Sequence, residues 1–126
     1  MEKKDLGKTS IGIDANLAGL LSYVAGWITG LIFFLSEKDN KFVRFHAMQS
    51  IIVFGALSIA VIAVSILMSF FAMMRLYFVC SLLTGVNSLL SLAGLILWIV
   101  LMIKAYQGEQ FKLPVIGDIA EKNSNK

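Results

Sequence analysis

The hydrophobic positions of this chain fall into three long runs separated by short polar ones. Residues 17 to 35 are apolar or small, and residues 45 to 74 and 76 to 103 carry no formal charge. The charges between Leu17 and Ile103 are Glu37, Lys38, Asp39, Lys41 and Arg44 in one cluster, and Arg75 alone. Each run supplies the roughly 20 residues with which a helix crosses about 30 Å of hydrocarbon. The pattern predicts an all-α integral membrane protein, a single membrane domain with three membrane-embedded helical segments at 15–36, 42–74 and 76–104. A polar tail (1–13) precedes them, and a short interfacial C-terminal segment with a disordered end (108–126) follows.

In the first segment, Asp14 is placed to cap a helix opening near Ala15. Ala18, Ser22, Gly26 and Gly30 recur every four residues, a stripe of small side chains that lets another helix approach closely. The stripe has three readings: packing within the chain, contact between copies, or a helix break at the glycines. Lys3 and Lys4 ahead of an apolar run suggest a signal peptide, but no small-x-small site follows Leu35, so the segment is expected to remain in the mature protein.

The second run is long for the hydrocarbon alone, about 45 Å as a helix. Its first turns are therefore assigned to the headgroup layer, where Phe42, Val43, Phe45 and Met48 alternate with polar Arg44, His46, Gln49 and Ser50. Arg75 is favoured as the next turn over Thr84–Ser88, because a charge in lipid costs several kcal/mol whereas Ser, Gly and Asn are tolerated against another helix. Ser81, Thr84, Ser88 and Ser91 then line one face of the third helix, read as a packing face. Asn87 beside them either bonds a neighbouring helix or lines a polar path. Gly108 is expected to end this helix, residues 111–120 to lie on the membrane surface, and residues 121–126 to be disordered.

Composition narrows the chemistry. The chain is 58% hydrophobic with a net charge of +3, and its basic residues are spread over the tails and one loop. Anionic lipid headgroups are the expected counterpart, rather than nucleic acid. Cys80 is the one cysteine and His46 the one histidine, so neither a disulfide nor an ordinary multi-ligand metal site is expected, and no cofactor. No Asp or Glu interrupts an apolar run, which argues against an ion-coupled carrier. The serines have no base but His46 and no triad spacing, so an enzyme is not expected. With three crossings the basic residues divide seven to four across the membrane, placing the first loop and C-tail in the cytoplasm. If the first segment instead bends at Gly26–Gly30 and re-enters, they divide ten to one.

Two strings go beyond composition: residues 37–50, with Phe42-Val43-Arg44-Phe45-His46-Ala47-Met48-Gln49, and residues 98–114, ending Tyr106-Gln107-Gly108-Glu109-Gln110-Phe111-Lys112-Leu113-Pro114. They resemble a family of small prokaryotic multi-pass membrane proteins of uncharacterised activity. That family is more distantly similar to the membrane component of the chloroplast inner-envelope protein-import machinery. The resemblance implies a multi-pass helical protein and brings no catalytic residue. The plastid relatives are pictured with four crossings, and residues 45–103 here supply two. The expected function is a non-enzymatic scaffold or assembly subunit of the cell membrane, with a homo-oligomer or another membrane protein as partner. The alternatives are an oligomeric pore using Asn87 and a binder of anionic lipid through Lys38, Lys41 and Arg44.

Overall fold

A computed structural model describes residues 7–124 and shows an all-helical chain. Five helices follow in order: α1 (Ala15–Val24), α2 (Trp27–Ser36), α3 (Lys41–Met73), α4 (Tyr77–Tyr106) and α5 (Ile116–Ser124). Two of them, α3 and α4, are long and apolar enough to cross a membrane. At 33 and 30 residues they extend about 50 and 45 Å. Along most of that length their large side chains point outward: Ile59 is 71% exposed, Leu89 69% and Phe78 78%. Soluble monomers rarely expose a contiguous apolar surface of this extent, which marks a face made for lipid or for another protein.

α3 and α4 pair as a hairpin whose turn falls at Arg75, while Thr84–Ser88 lies inside α4. Arg75 takes the left-handed conformation, φ 59°, and the amides of Arg75 and Leu76 bond back to Ala72 and Phe71. These bonds close the C-terminal turn of α3 in the manner usual for glycine.

The first apolar run is not one helix. It breaks at Ala25–Gly26 into α1 and α2, which run antiparallel and pack on α3, with α1 also against α4. The expected continuous stripe of Ala18, Ser22, Gly26 and Gly30 is therefore interrupted. Ala18, Ser22 and Gly30 are buried, and Gly26, at φ 63°, makes the turn. A break inside an apolar run leaves backbone groups that need partners wherever water is excluded. The Gly26 amide bonds the Tyr23 carbonyl and the Gly30 amide the Gly26 carbonyl, and side chains add the rest. The Ala25 amide donates to Thr29 Oγ1 (3.0 Å), which donates to the Ser22 carbonyl (3.2 Å). Ser50 Oγ donates to the Gly26 carbonyl (2.8 Å), and Trp98 Nε1 to the Tyr23 carbonyl (2.7 Å).

Both ends of the α1–α2 hairpin, the start of α3, the end of α4 and the irregular segment 109–115 gather at one end of the molecule. The buried residues of α3 all lie between Phe42 and Val53. Two expectations are corrected at this end. Residues 1–6 of the N-terminal tail lie outside the described residues, but Ser10 bonds Glu37 and the Lys8 carbonyl accepts from Asn40, so the tail's described part is folded onto the loop. The C-terminal segment does not lie as an amphipathic strip ending in disorder. Leu113 is buried, and residues through Ser124 form α5 against α3, braced by Lys112–Glu121.

Gly30 marks a close approach of α2 to the α3 backbone: a Cβ there would stand 2.8 Å from the Ala47 carbonyl oxygen, whereas one at Gly85 would meet nothing within 4 Å. Gly30→Ala should thus lower the thermal midpoint in detergent micelles, at a cost of about 1–3 kcal/mol for overpacking. Gly85→Ala, chemically the same change, should leave it unchanged or raise it.

Candidate functional site

The buried polar residues sit where α3 meets the segment after α4, and they were expected to be interfacial. His46 and Gln49 are instead fully buried. They project from successive turns of α3 toward α1 on one side and residues 109–113 on the other. His46 Nε2 lies 2.9 Å from the Glu109 carbonyl. A carbonyl can only accept, so the neutral ring carries its proton on Nε2, and Nδ1 accepts from the Tyr23 hydroxyl at 2.7 Å. Gln49 Nε2 donates to the Tyr23 oxygen (3.0 Å) and to the Phe111 carbonyl (2.9 Å), while its Oε1 accepts from the Leu113 amide (3.1 Å). The set Tyr23, His46 and Gln49 therefore reads as one directed network joining α1, α3 and the segment after α4. Phe42 and Phe45 close over the His46 ring edge-on, with centroids 4.6 and 5.1 Å away. Every side-chain polar atom of the three is engaged in these bonds.

Arg44 is similarly spent. Its guanidinium donates to the carbonyls of Phe34 (3.1 Å), Glu37 (2.8 Å) and Ser124 (3.0 Å), and stacks over the Phe34 ring. It thus ties the end of α2, the loop and α5 to α3. This corrects its expected role as a snorkelling headgroup ligand, because its charge is directed inward to backbone oxygens.

Glu37 is the second element of this end. Its carboxylate is fully buried and accepts from the Ser10 amide (2.7 Å), the Ser10 hydroxyl (2.6 Å) and the amides of Asp39 (3.0 Å) and Asn40 (3.1 Å). Burial pushes this carboxyl up, but the hydrogen bonds from Ser10, Asp39 and Asn40 overcome it and hold it below its ordinary value. Asn40 in turn caps α3, its Oδ1 accepting from the Val43 amide (3.1 Å).

Farther along the hairpin, Asn87 Nδ2 donates to Ser65 Oγ (3.2 Å) across the α3–α4 contact, and its Oδ1 is buried without a partner. That is the interhelical bond, one of its two expected roles. The hydroxyl face of α4 corrects its reading as a packing face. Ser81, Thr84, Ser88 and Ser91 are all exposed, and the first three bond back to carbonyls of their own helix. Beneath the Gly26 turn an open apolar groove of about 630 Å³ runs between Trp27, Phe54, Leu57, Leu90 and Trp98. Among the described residues, no group of three or more His, Cys, Asp or Glu could hold a metal ion.

Sequence reasoning placed Arg44, His46 and Gln49 together but missed Tyr23, Glu37 and Trp98. The available signal was that His46, Gln49 and Ser50 share a helix face at three- and four-residue spacing while flanked by Phe42, Phe45 and Val53, an apolar setting for an exposed polar stripe.

Gln49→Leu removes the partners of Tyr23, Phe111 and Leu113 together, and each buried group left unpaired costs about 1–3 kcal/mol. Limited proteolysis should then cut within residues 109–124 far faster than in the parent. Acid should free the N-terminal loop by another route. A carboxyl whose folded pKa is depressed stabilises fully above its unfolded value and loses that contribution as pH falls through the folded one. Hydrogen exchange of the Ser10 amide should accordingly accelerate below the ordinary carboxylate range, and Glu37→Gln should show that faster exchange already at neutral pH.

Residues 8–120 match the model of a family described as the magnetosome magnetite crystal formation protein family. Over 119 residues the chain is 50% identical to a UPF0132 membrane protein of Methanocaldococcus jannaschii, covering 94% of this chain and 96% of that one. A second protein of that name and organism is 47% identical, over 90% of this chain and 72% of its own length. One from Archaeoglobus fulgidus is 44% identical, over 85% and 92%. No solved structure matches. These relatives are named archaeal membrane proteins, and the expected distant similarity to the plastid import component is not shown by them. The network residues Tyr23, His46 and Gln49 all lie within the matched span, and the chain belongs to the MamF/MmsF family, the magnetosome magnetite crystal formation protein family, together with the UPF0132 membrane proteins.

Proposed function

We propose that the protein is a non-enzymatic, multi-pass scaffold of the cell membrane. In this reading α3 and α4 cross the bilayer, and the α1–α2 hairpin enters from the same side as both tails and leaves on that side. The observation that carries it is how the polar side chains are used. Tyr23, His46, Gln49, Arg44 and Glu37 are spent on holding the chain's own segments together, while the large apolar side chains face outward. What remains for other molecules is lateral membrane surface, to which copies of the chain or other membrane proteins bind.

Charge supports the orientation. Every described Lys and Arg other than Arg75 lies at the polar end: Lys8, Lys38, Lys41, Arg44, Lys104, Lys112 and Lys122. Basic excess marks the cytoplasmic side, so Arg75 faces out. The family's description names magnetite crystal formation and the relatives are named membrane proteins, and this reading draws on the membrane part. The pore alternative draws no support from Asn87, whose amide is turned into the α3–α4 contact.

Single cysteines at Lys8, Asp39, Arg75 and Asn123 in a Cys80→Ser background test the topology with a membrane-impermeant thiol reagent on intact cells. Labelling of the residue 75 cysteine alone is expected. Labelling at residue 8 together with 75 would mean that the first segment crosses, and would sink this reading.

A further inference from the structure

We propose that the protein is a wedge in one leaflet and favours membranes curved so that its polar end lies on the convex side. The inference rests on the topology just proposed. α1 and α2 are ten residues each, about 15 Å long, so neither can cross. Their turn at Gly26 comes against Phe54, to which a Cβ on Gly26 would stand 3.3 Å. That contact lies about 20 Å along α3 from Lys41, roughly half of a bilayer that is 40–45 Å thick with its headgroups. Four helices therefore occupy the proximal leaflet and two the distal one. At 10–12 Å per helix the difference in cross-section is on the order of 200 Å².

Three features make this difference act on lipid. First, the outer surface of the short hairpin is apolar, with Leu17, Ile28, Ile32 and Leu35 at 40%, 50%, 54% and 63% exposure, so it displaces lipid chains and does not sit in water. Second, the hairpin cannot swing aside cheaply. Gly30 is seated on the Ala47 backbone, and moving α2 would break the bond from Ser50 Oγ to the Gly26 carbonyl, leaving that oxygen only the longer bonds from Gly30 and Thr29. Third, nothing described balances it on the other side, where α3 and α4 are joined by the short turn at Met74–Leu76. The folded polar end, with α5 and the N-terminal loop, adds bulk above the same leaflet. A flat bilayer must spread one leaflet to admit this shape, whereas a bilayer bent with that leaflet outermost already offers the area.

The test uses the full chain and needs no destabilising variant. Cys80→Ser protein carrying a fluorophore at Asn123→Cys is reconstituted in both orientations into giant vesicles, and a thin tether is drawn from each. An impermeant quencher separates molecules with the polar end outside from those with it inside. The tether-to-flat density ratio should lie above unity for the outside population and below unity for the inside one. Equal ratios, or the reverse order, would overturn the wedge. Parallel vesicles labelled at Lys8→Cys separate this failure from failure of the topology. Residues 8 and 123 found on one leaflet's side with equal ratios sink only the wedge. Found on opposite sides, they sink the topology and the wedge with it.

Discussion

Hydrocarbon offers a peptide group no hydrogen bond, and most of this fold follows from how the chain meets that condition where its first apolar run turns back. Gly26 supplies the backbone conformation, but glycine alone would leave open carbonyls in lipid. Thr29 closes the turn locally, Ser50 reaches the Gly26 carbonyl from α3, and Trp98 reaches the Tyr23 carbonyl from α4. The two long helices are thus both the candidate spans and a source of the hairpin's hydrogen bonds. That requirement fixes α1 and α2 against them.

The same logic governs the polar end. Once α1 is held against α3, the Tyr23 hydroxyl is buried and needs partners, which His46 and Gln49 provide. Their remaining valences in turn capture the segment after α4 through the Glu109 and Phe111 carbonyls and the Leu113 amide. Arg44 closes the circle by bonding α2, the loop and α5. Polar residues that resemble candidate chemistry in isolation are, in place, the joints between segments far apart in sequence. A protein so built presents its neighbours with shape and apolar surface, which is why assembly and membrane form are the functions its geometry supports.

How much of this was legible in the sequence depended on range. The two spans follow from uncharged runs, and the turn at Arg75 from the cost of one charge in lipid, both of which act within a few residues. The Asn40 cap and the end of α4 near Gly108 are local as well. The break at Gly26 was visible only as one option, because the residues that make it tolerable, Ser50 and Trp98, are remote in sequence. His46 and Gln49 were misread for a similar reason. A polar stripe at the start of a long apolar helix looks the same whether it meets headgroups or a returning segment of the chain, and that segment's contribution is backbone, which has no sequence signature. The C-terminal helix was missed because its short, charged sequence is ordered by α3 and not by its own propensity.

The hairpin is the claim on which the rest stands, and one distance decides it. Leu17 and Leu35 are both exposed and sit near the open ends of α1 and α2. Spin labels at Leu17→Cys and Leu35→Cys in a Cys80→Ser background, with the protein in lipid, should show the short separation of neighbouring helices, whose axes lie 8–10 Å apart. A single continuous helix would instead hold them about 27 Å apart at 1.5 Å per residue. A distance distribution centred there would contradict the account.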